Sequence, residues 1–288
     1  MGAAFLITLR EGLEGALIVA ILLAYLRQLG RADQFVWVLG AAFVGVAVSL
    51  VAGIGVFIAL GELEGQAEEL TEGIIALVAV GVLTWMIFWM RQQARTIGGA
   101  LRGRVDKALA SGALLGLASI AFVGVVREGL ETALFLIAAD SGAANTLIGG
   151  LPGLFIAALL GFGIYKGSQI INLRAFFQVT GGLIILVAAG LFSKGVHELQ
   201  EAGVISTTRE QVWNIKGNPV FGHGEFFDFL KGLFGWSAAP SAEQLAVWVL
   251  FLGVASWFFY LDGRLPFSLR LWSQPQVAEA EVESDPAG

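Results

Sequence analysis

Two short strings carry most of the chemical content of this chain: Arg10-Glu11-Gly12-Leu13-Glu14 and Arg127-Glu128-Gly129-Leu130-Glu131. Each places one arginine and two glutamates within a single helical turn. Glutamates three residues apart lie about 60° apart around a helix, so both carboxylates face one point. An arginine four residues before the second glutamate reaches it as a partner. Carboxylates are hard oxygen ligands that suit Fe, Mn, Mg or Ca. Two arginines against four glutamates leave a surplus charge (2 − 4 = −2). Mutual pairing therefore leaves two acids to be protonated or balanced by a bound cation. A divalent ion balances the surplus, and a trivalent ion needs another acid. The expected metal ligands are Glu11, Glu14, Glu128 and Glu131, with Arg10 and Arg127 as motif counter-charges.

Other acids repeat the spacing. Glu69-Leu70-Thr71-Glu72 is a third Glu-x-x-Glu pair, and Glu198 and Glu201 are a fourth, beside His197. We read both as outer, ion-collecting candidates, against the plainer alternative of solvated helix ends. Lys194 opposes cation binding near Glu198 unless it serves as a counter-charge. Cysteine is absent and there are only two histidines, His197 and His223. That excludes disulfides, thiolate metal sites, Fe–S clusters and His-rich centres.

The elements that must hold these groups are membrane helices. Of 288 residues, 57% are hydrophobic and only 14% charged, where a soluble chain carries about 25% charged. The mean hydropathy is +0.78, and apolar runs reach the roughly 20 residues that cross a bilayer. We expect an all-α polytopic membrane protein with seven transmembrane helices near 3–27, 35–60, 71–91, 111–139, 150–168, 176–196 and 244–262. The first is expected to be retained rather than cleaved as a signal peptide, because Arg10, Glu11 and Glu14 interrupt its apolar stretch. At membrane depth such charges cost at least roughly 2.5–3.5 kcal/mol each, so six of them require a common purpose.

Loop charge predicts the orientation. Arg27 and Arg31, then Arg91, Arg95, Arg102, Arg104 and Lys107, then Lys166 and Arg174, and finally Arg264 and Arg270 mark cytoplasmic segments by the positive-inside rule. Glu62, Glu64, Glu68, Glu69 and Glu72 mark an outer loop, as does Asp140. The N-terminus is thus expected outside and the C-terminus in the cytoplasm. An outer loop over about 197–243 is expected to hold a short interfacial helix around Glu225–Lys231 that covers the mouth. The transmembrane domain is expected over 1–272, with a disordered acidic tail over 273–288.

The chain repeats itself. The two motifs align at an offset of 117 (127 − 10), and Thr71–Gly81 resembles Thr180–Gly190 at an offset of 109 (180 − 71). Repeat one covers about 3–91 and repeat two about 111–203. Three spans per repeat put the second copy in the membrane upside down. Such inverted repeats place a transport site at their interface near the midplane. The seventh helix is an addition.

With both motifs in place, the chain resembles the oxidase-dependent iron permease family, which includes fungal high-affinity iron permeases and bacterial EfeU-type permeases. The stretches Glu69–Arg91, Val187–Leu191, Gln200–Gly203 and Leu233–Trp248 look like the bacterial branch. The resemblance runs to about residue 262. It implies iron uptake across the plasma membrane, here a bacterial inner membrane, with Glu11, Glu14, Glu128 and Glu131 binding the ion as cargo. No cofactor is implied. It also implies periplasmic iron-binding or haem-peroxidase partner proteins; a multicopper oxidase partner fits poorly with these short outer loops. Two rivals remain at this level. A proton-coupled transporter of another cation such as Mn would use the glutamates as a relay. A di-iron enzyme would add Glu-x-x-His motifs, and no span contains one.

Overall fold

The computed structural model describes residues 1–93, 114–139, 142–167, 173–209, 211–218, 220–222 and 224–260. Arg95, Arg102, Arg104, Lys107, Asp140, Glu210, His223, Arg264, Arg270 and the tail 273–288 lie outside the described residues, as do the side chains of Arg91, Arg174, Glu225 and Asp228.

Among the described residues the chain is wholly helical. Seven long helices run in order: α1 Gly2–Gln28, α2 Phe35–Leu60, α3 Gln66–Gln93, α4 Leu114–Ala139, α5 Ala143–Tyr165, α6 Leu173–Glu201 and, after a short α7 at Glu225–Phe234, α8 Ala242–Tyr260. In lipid a helix satisfies its own backbone groups, which is why such apolar runs take this form. Five segments are long and apolar enough to cross a membrane: Ala32–Leu60, Gln66–Met90, Ala143–Tyr165, Ala175–Glu201 and Ala242–Tyr260. The two long helices outside that set, α1 and α4, have 27 and 26 residues and hold the two charged motifs. Their length suffices; what sets them apart is three motif charges in each, where the five apolar segments hold at most two in an 18-residue stretch.

Three expected boundaries move. Helix α3 begins at Gln66 rather than 71, because Glu68 and Glu69 occupy its first turn, where the helix dipole favours acids. Helix α6 continues to Glu201, so Glu198 and Glu201 are helical and the segment expected over 197–243 starts later than 197. Helix α5 starts at Ala143, not 150, and runs through Gly149, Gly150 and Pro152. The apparent punctuation there is a packing surface. Thr8 Oγ1 donates to Gly150 O at 2.9 Å, and a methyl group on Gly153 would strike Thr8 and Phe5 O.

The order of packing is crossed. Helix α1 lies along α5, α4 lies along α2, the motif helices α1 and α4 touch each other, and α3 packs on α6, which also carries α7 and α8. Each crossed pair is set by small residues. A Cβ on Gly12 would come within 3.1 Å of Ala157 Cβ, and one on Gly129 within 2.5 Å of Ser49 Cβ. A Cβ on Gly161 would lie 2.6 Å from Ala16 Cβ, and one on Gly53 3.0 Å from Ala133 Cβ. Close backbone approach of this kind replaces the missing hydrophobic drive between membrane helices. A buried cluster including Ile7, Leu83, Met86, Phe135, Ile184 and Ile185 joins α1, α3, α4 and α6. Helix α2 is peripheral, with Val36, Phe43 and Val51 exposed for lipid.

The expected short helix is present as α7 and ends at Gly235, whose left-handed φ of 65° and contact with Gly190 leave no room for a side chain. Three indole N–H groups tie the surrounding segment to backbone carbonyls: Trp213 to Ser237 at 3.2 Å, Trp236 to Phe221 at 3.1 Å and Trp248 to Phe234 at 2.7 Å. Helix α8 starts with a reciprocal cap. Gln244 N donates to Ser241 Oγ at 3.2 Å, and Ser241 N to Gln244 Oε1 at 2.8 Å.

Candidate metal centre

The motif glutamates sit inside the bundle, where α1 crosses α4, while Arg127 keeps 39% of its side chain exposed. Small residues bring the helices together: a Cβ on Gly15 would lie 3.9 Å from Glu128 Cβ, and one on Gly124 would lie 2.9 Å from Ile18 Cδ1. Arg10 is 2% exposed, Glu11 1%, Glu14 8% and Glu128 7%. Within α1, Arg10 Nη1 donates to Glu11 Oε1 at 2.7 Å, and Arg10 Nη2 stands 3.1 Å from Glu14 Oε1. Within α4, Arg127 Nε donates to Glu131 Oε1 at 2.7 Å and lies 3.9 Å from Glu128 Oε1. The expected i, i+4 pairing therefore forms in both copies.

The crossing brings acids from both helices to one point. Glu11, Glu128 and Glu131 each offer an oxygen, all within 4.8 Å of one another. Glu11 Oε2, Glu128 Oε2 and Glu131 Oε2 are buried and accept no hydrogen bond from the described residues. Unpaired buried carboxylate oxygens are costly; a cation held between them removes that cost.

A cavity of about 1130 Å³ runs along α1, α2, α4 and α5. Near one end it is lined by Gly61 and Leu63 of the α2–α3 connection and Gly142 of the α4–α5 connection, and near the other by Phe35, Phe162 and Tyr165. Its lining is mainly apolar. Its charged lining residues are Glu11, Glu128, Glu68, Glu72 and Lys194. Arg10 and Arg127 do not line it. The cavity therefore meets carboxylates first, with the guanidinium groups behind them.

What stands behind the arginines is α3, a contact that spacing within the motifs does not predict. Arg10 Nη1 lies 3.2 Å from Met86 Sδ. The Arg127 guanidinium lies over the Trp89 ring, 5.2 Å from its centroid. Met86 and Trp89 are one turn apart, so a single helix braces both counter-charges. The only sequence signal is that i, i+3 spacing, and lipid-facing residues such as Trp85 share the same composition. Trp89→Leu removes a cation–π contact of about 0.5–2 kcal/mol. It is expected to raise the half-saturating cation concentration at least about twofold, whereas Trp89→Phe, which keeps a ring face, stays near wild type. Initial-rate uptake at equal membrane content reads both.

The remaining candidates divide. Glu72 lines the cavity with Glu68, one turn before it, and pairs with Lys194 at 3.0 Å. Glu69 is not part of the lining. Glu201 pairs with His197 at 3.3 Å at an exposed helix end, and neither Glu198 nor Glu201 reaches the cavity. Glu14 faces Arg10 and stands outside the set of three acids.

The sequence matches the iron permease FTR1 family over residues 1–262. It is 40% identical over 269 residues to the ferrous iron permease EfeU of Escherichia coli O6:K15:H31 (strain 536 / UPEC), covering 90% of this chain and 95% of that protein. The same figures hold for the ferrous iron permease EfeU of Escherichia coli O157:H7. For the ferrous iron permease EfeU of Yersinia pestis the identity is 39%, covering 90% of this chain and 93% of that protein. No solved structure matches the chain.

Proposed function

The chain belongs to the iron permease FTR1 family, and on that premise we propose that iron crosses through the α1–α4 glutamate cluster. Glu11, Glu128 and Glu131 are the converging ligands, Glu14 is a fourth acid, and Arg10 and Arg127 are counter-charges. The protein is a transporter and not an enzyme; iron is its cargo and no cofactor is needed. The observation that carries the site is the meeting of three carboxylates from two helices, with unpaired oxygens, two of them (Glu11 and Glu128) at the cavity wall.

The motif charge of −2 favours Fe(II), as do the names of the relatives. Fe(III) would need a further acid, and Glu72 is the candidate. An interior-negative potential contributes about 4.6 kcal/mol per 100 mV for a divalent ion.

We assign seven spans, N-terminus outside and C-terminus in the cytoplasm, in a bacterial inner membrane, with a permease domain over 1–272. The crossed packing supports the inverted repeat. Moving 117 residues along α1 and 108 along α2 converts one set of contacts into the other. Gly129 on Ser49 becomes Gly12 on Ala157, Gly45 on Val125 becomes Gly153 on Thr8, and Gly53 on Ala133 becomes Gly161 on Ala16. The packed units are then α1 with α5 and α4 with α2. Glu11 belongs to one and Glu128 and Glu131 to the other, so relative motion of the units opens and closes the ion cage. Periplasmic iron-binding or haem-peroxidase proteins are the proposed partners.

The test is uptake of radioactive iron into proteoliposomes, with ascorbate holding Fe(II) or citrate holding Fe(III), under an interior-negative potential. Saturable Fe(II) uptake that rises with the potential is expected. Uptake of Mn(II) but not of iron would overturn the assignment.

A further inference from the structure

The Lys194–Glu72 pair stands between the loops and the glutamate cluster. Glu72 lies six residues into α3, roughly 9 Å from its start, and Glu11 nine residues into α1, roughly 14 Å from its start, at the helical rise per residue. On the inverted-repeat reading both helices start on the outer side, and Glu72 is nearer to the start of its helix than Glu11 is to the start of its own. Both side chains line the cavity that reaches Glu11 and Glu128. Lys194 is the cavity's only basic lining residue among the described residues.

The pair is built into the packing rather than draped over a surface. Its helices are in backbone contact beside it. A Cβ on Gly73, next to Glu72, would lie 3.2 Å from Gly195 O, and one on Gly195, next to Lys194, would lie 3.2 Å from Ala76 Cβ. That contact fixes the ammonium 3.0 Å from Glu72 Oε2, with side chains 23% and 33% exposed. A permanent positive charge in a cation path works against the cargo unless it has a role there.

We propose that Lys194 is a tethered competitor cation: its ammonium occupies Glu72 until an incoming iron ion displaces it, and this exchange sets affinity and selectivity at the outer end of the cavity. The proposal rests on the transport reading above. A monovalent ion gains no more from Glu72 than the ammonium already there, and it must also displace a tethered group. A strongly hydrated Mg²⁺ dehydrates reluctantly, so the exchange discriminates against it as well. A transition-metal ion that gives up water for carboxylate oxygen wins the exchange. Lys194 then swings aside and supplies repulsion that sends the ion inward.

The experiment uses the full chain in proteoliposomes, with Fe(II) uptake measured for wild type, Lys194→Gln, Lys194→Arg, Glu72→Gln and the double variant Lys194→Gln/Glu72→Gln. Each is first checked for a monodisperse elution profile and wild-type thermal unfolding. Lys194→Gln is expected to lower the KM for Fe(II) about fivefold, the size of a partly exposed ion pair, and to let millimolar Mg²⁺ inhibit. Lys194→Arg keeps the wild-type KM. In the Glu72→Gln background, Lys194→Gln changes nothing further. An unchanged KM and unchanged Mg²⁺ tolerance in folded Lys194→Gln protein overturns the proposal, as does an equal effect when Glu72 is already glutamine. Glu11→Gln in the same assay separates the two readings. If it transports like wild type, the glutamate-cluster route fails, whatever Lys194 does.

Discussion

Glu11→Gln combined with Glu128→Gln is expected to abolish iron uptake while leaving the protein in the membrane. Glutamine keeps the volume and a hydrogen-bonding head, so the α1–α4 crossing is not reshaped. The charge account changes completely. Two glutamates remain against Arg10 and Arg127, and no net charge is left to attract a cation. Two of the three converging oxygen donors are weakened together. Losing one partner of a buried charged contact costs on the order of 2–5 kcal/mol, so two such losses predict a fall of at least about a thousandfold. Glu14→Gln is expected to be milder, because Glu14 faces Arg10 and lies outside the set of three. Initial rates at matched membrane content decide this; uptake within about twofold of wild type for the double variant would remove the cluster from the ion's route.

The ion pairing within each motif was legible in the sequence because it depends on spacing within a helix. Arg10 with Glu14 and Arg127 with Glu131 pair as their four-residue separation requires. Contacts between helices were not legible. Nothing in composition distinguishes Met86 and Trp89, which brace the arginines, from Trp85, which is 57% exposed. In a membrane helix both the packed and the lipid-facing surfaces are apolar, so periodicity loses its power to assign a face. Helix α5 starts seven residues before the expected 150. Gly149, Gly150 and Pro152 resemble a turn locally, yet α1 uses the glycines as a seat. Lys194 was visible as an awkward positive charge, but only the α3–α6 contact reveals that Glu72 holds it.

The second large effect concerns that crossed packing, and it discriminates between two glycines that look identical in sequence. Gly129→Ala places a methyl group 2.5 Å from Ser49 Cβ, a distance that only separation of α2 from α4 relieves. Ser49 is also held in place, donating to Gly45 O at 3.0 Å and Val126 O at 3.2 Å. Overpacking of this kind costs about 1–3 kcal/mol, and here it shifts the helix that carries Glu128 and Glu131. Gly12→Ala meets Ala157 Cβ and Leu154 Cδ1, both at 3.1 Å. The leucine end can rotate away, and replacing a helical glycine returns about 1 kcal/mol, so this variant stays near wild type. Gly129→Ala is therefore expected to unfold at a lower temperature and to lose most iron uptake, and Gly12→Ala to keep both. Adding Ser49→Gly to Gly129→Ala removes the obstructing atoms and restores stability and uptake. Ala157→Ser added to Gly12→Ala recreates at the first motif the crowding of the second, and is expected to impair it. Thermal unfolding in detergent and uptake in proteoliposomes read the four variants. Equal stability of the two alanine variants, or no rescue by Ser49→Gly, would show that α2 does not seat against α4 as described and would remove the packing support for the inverted repeat.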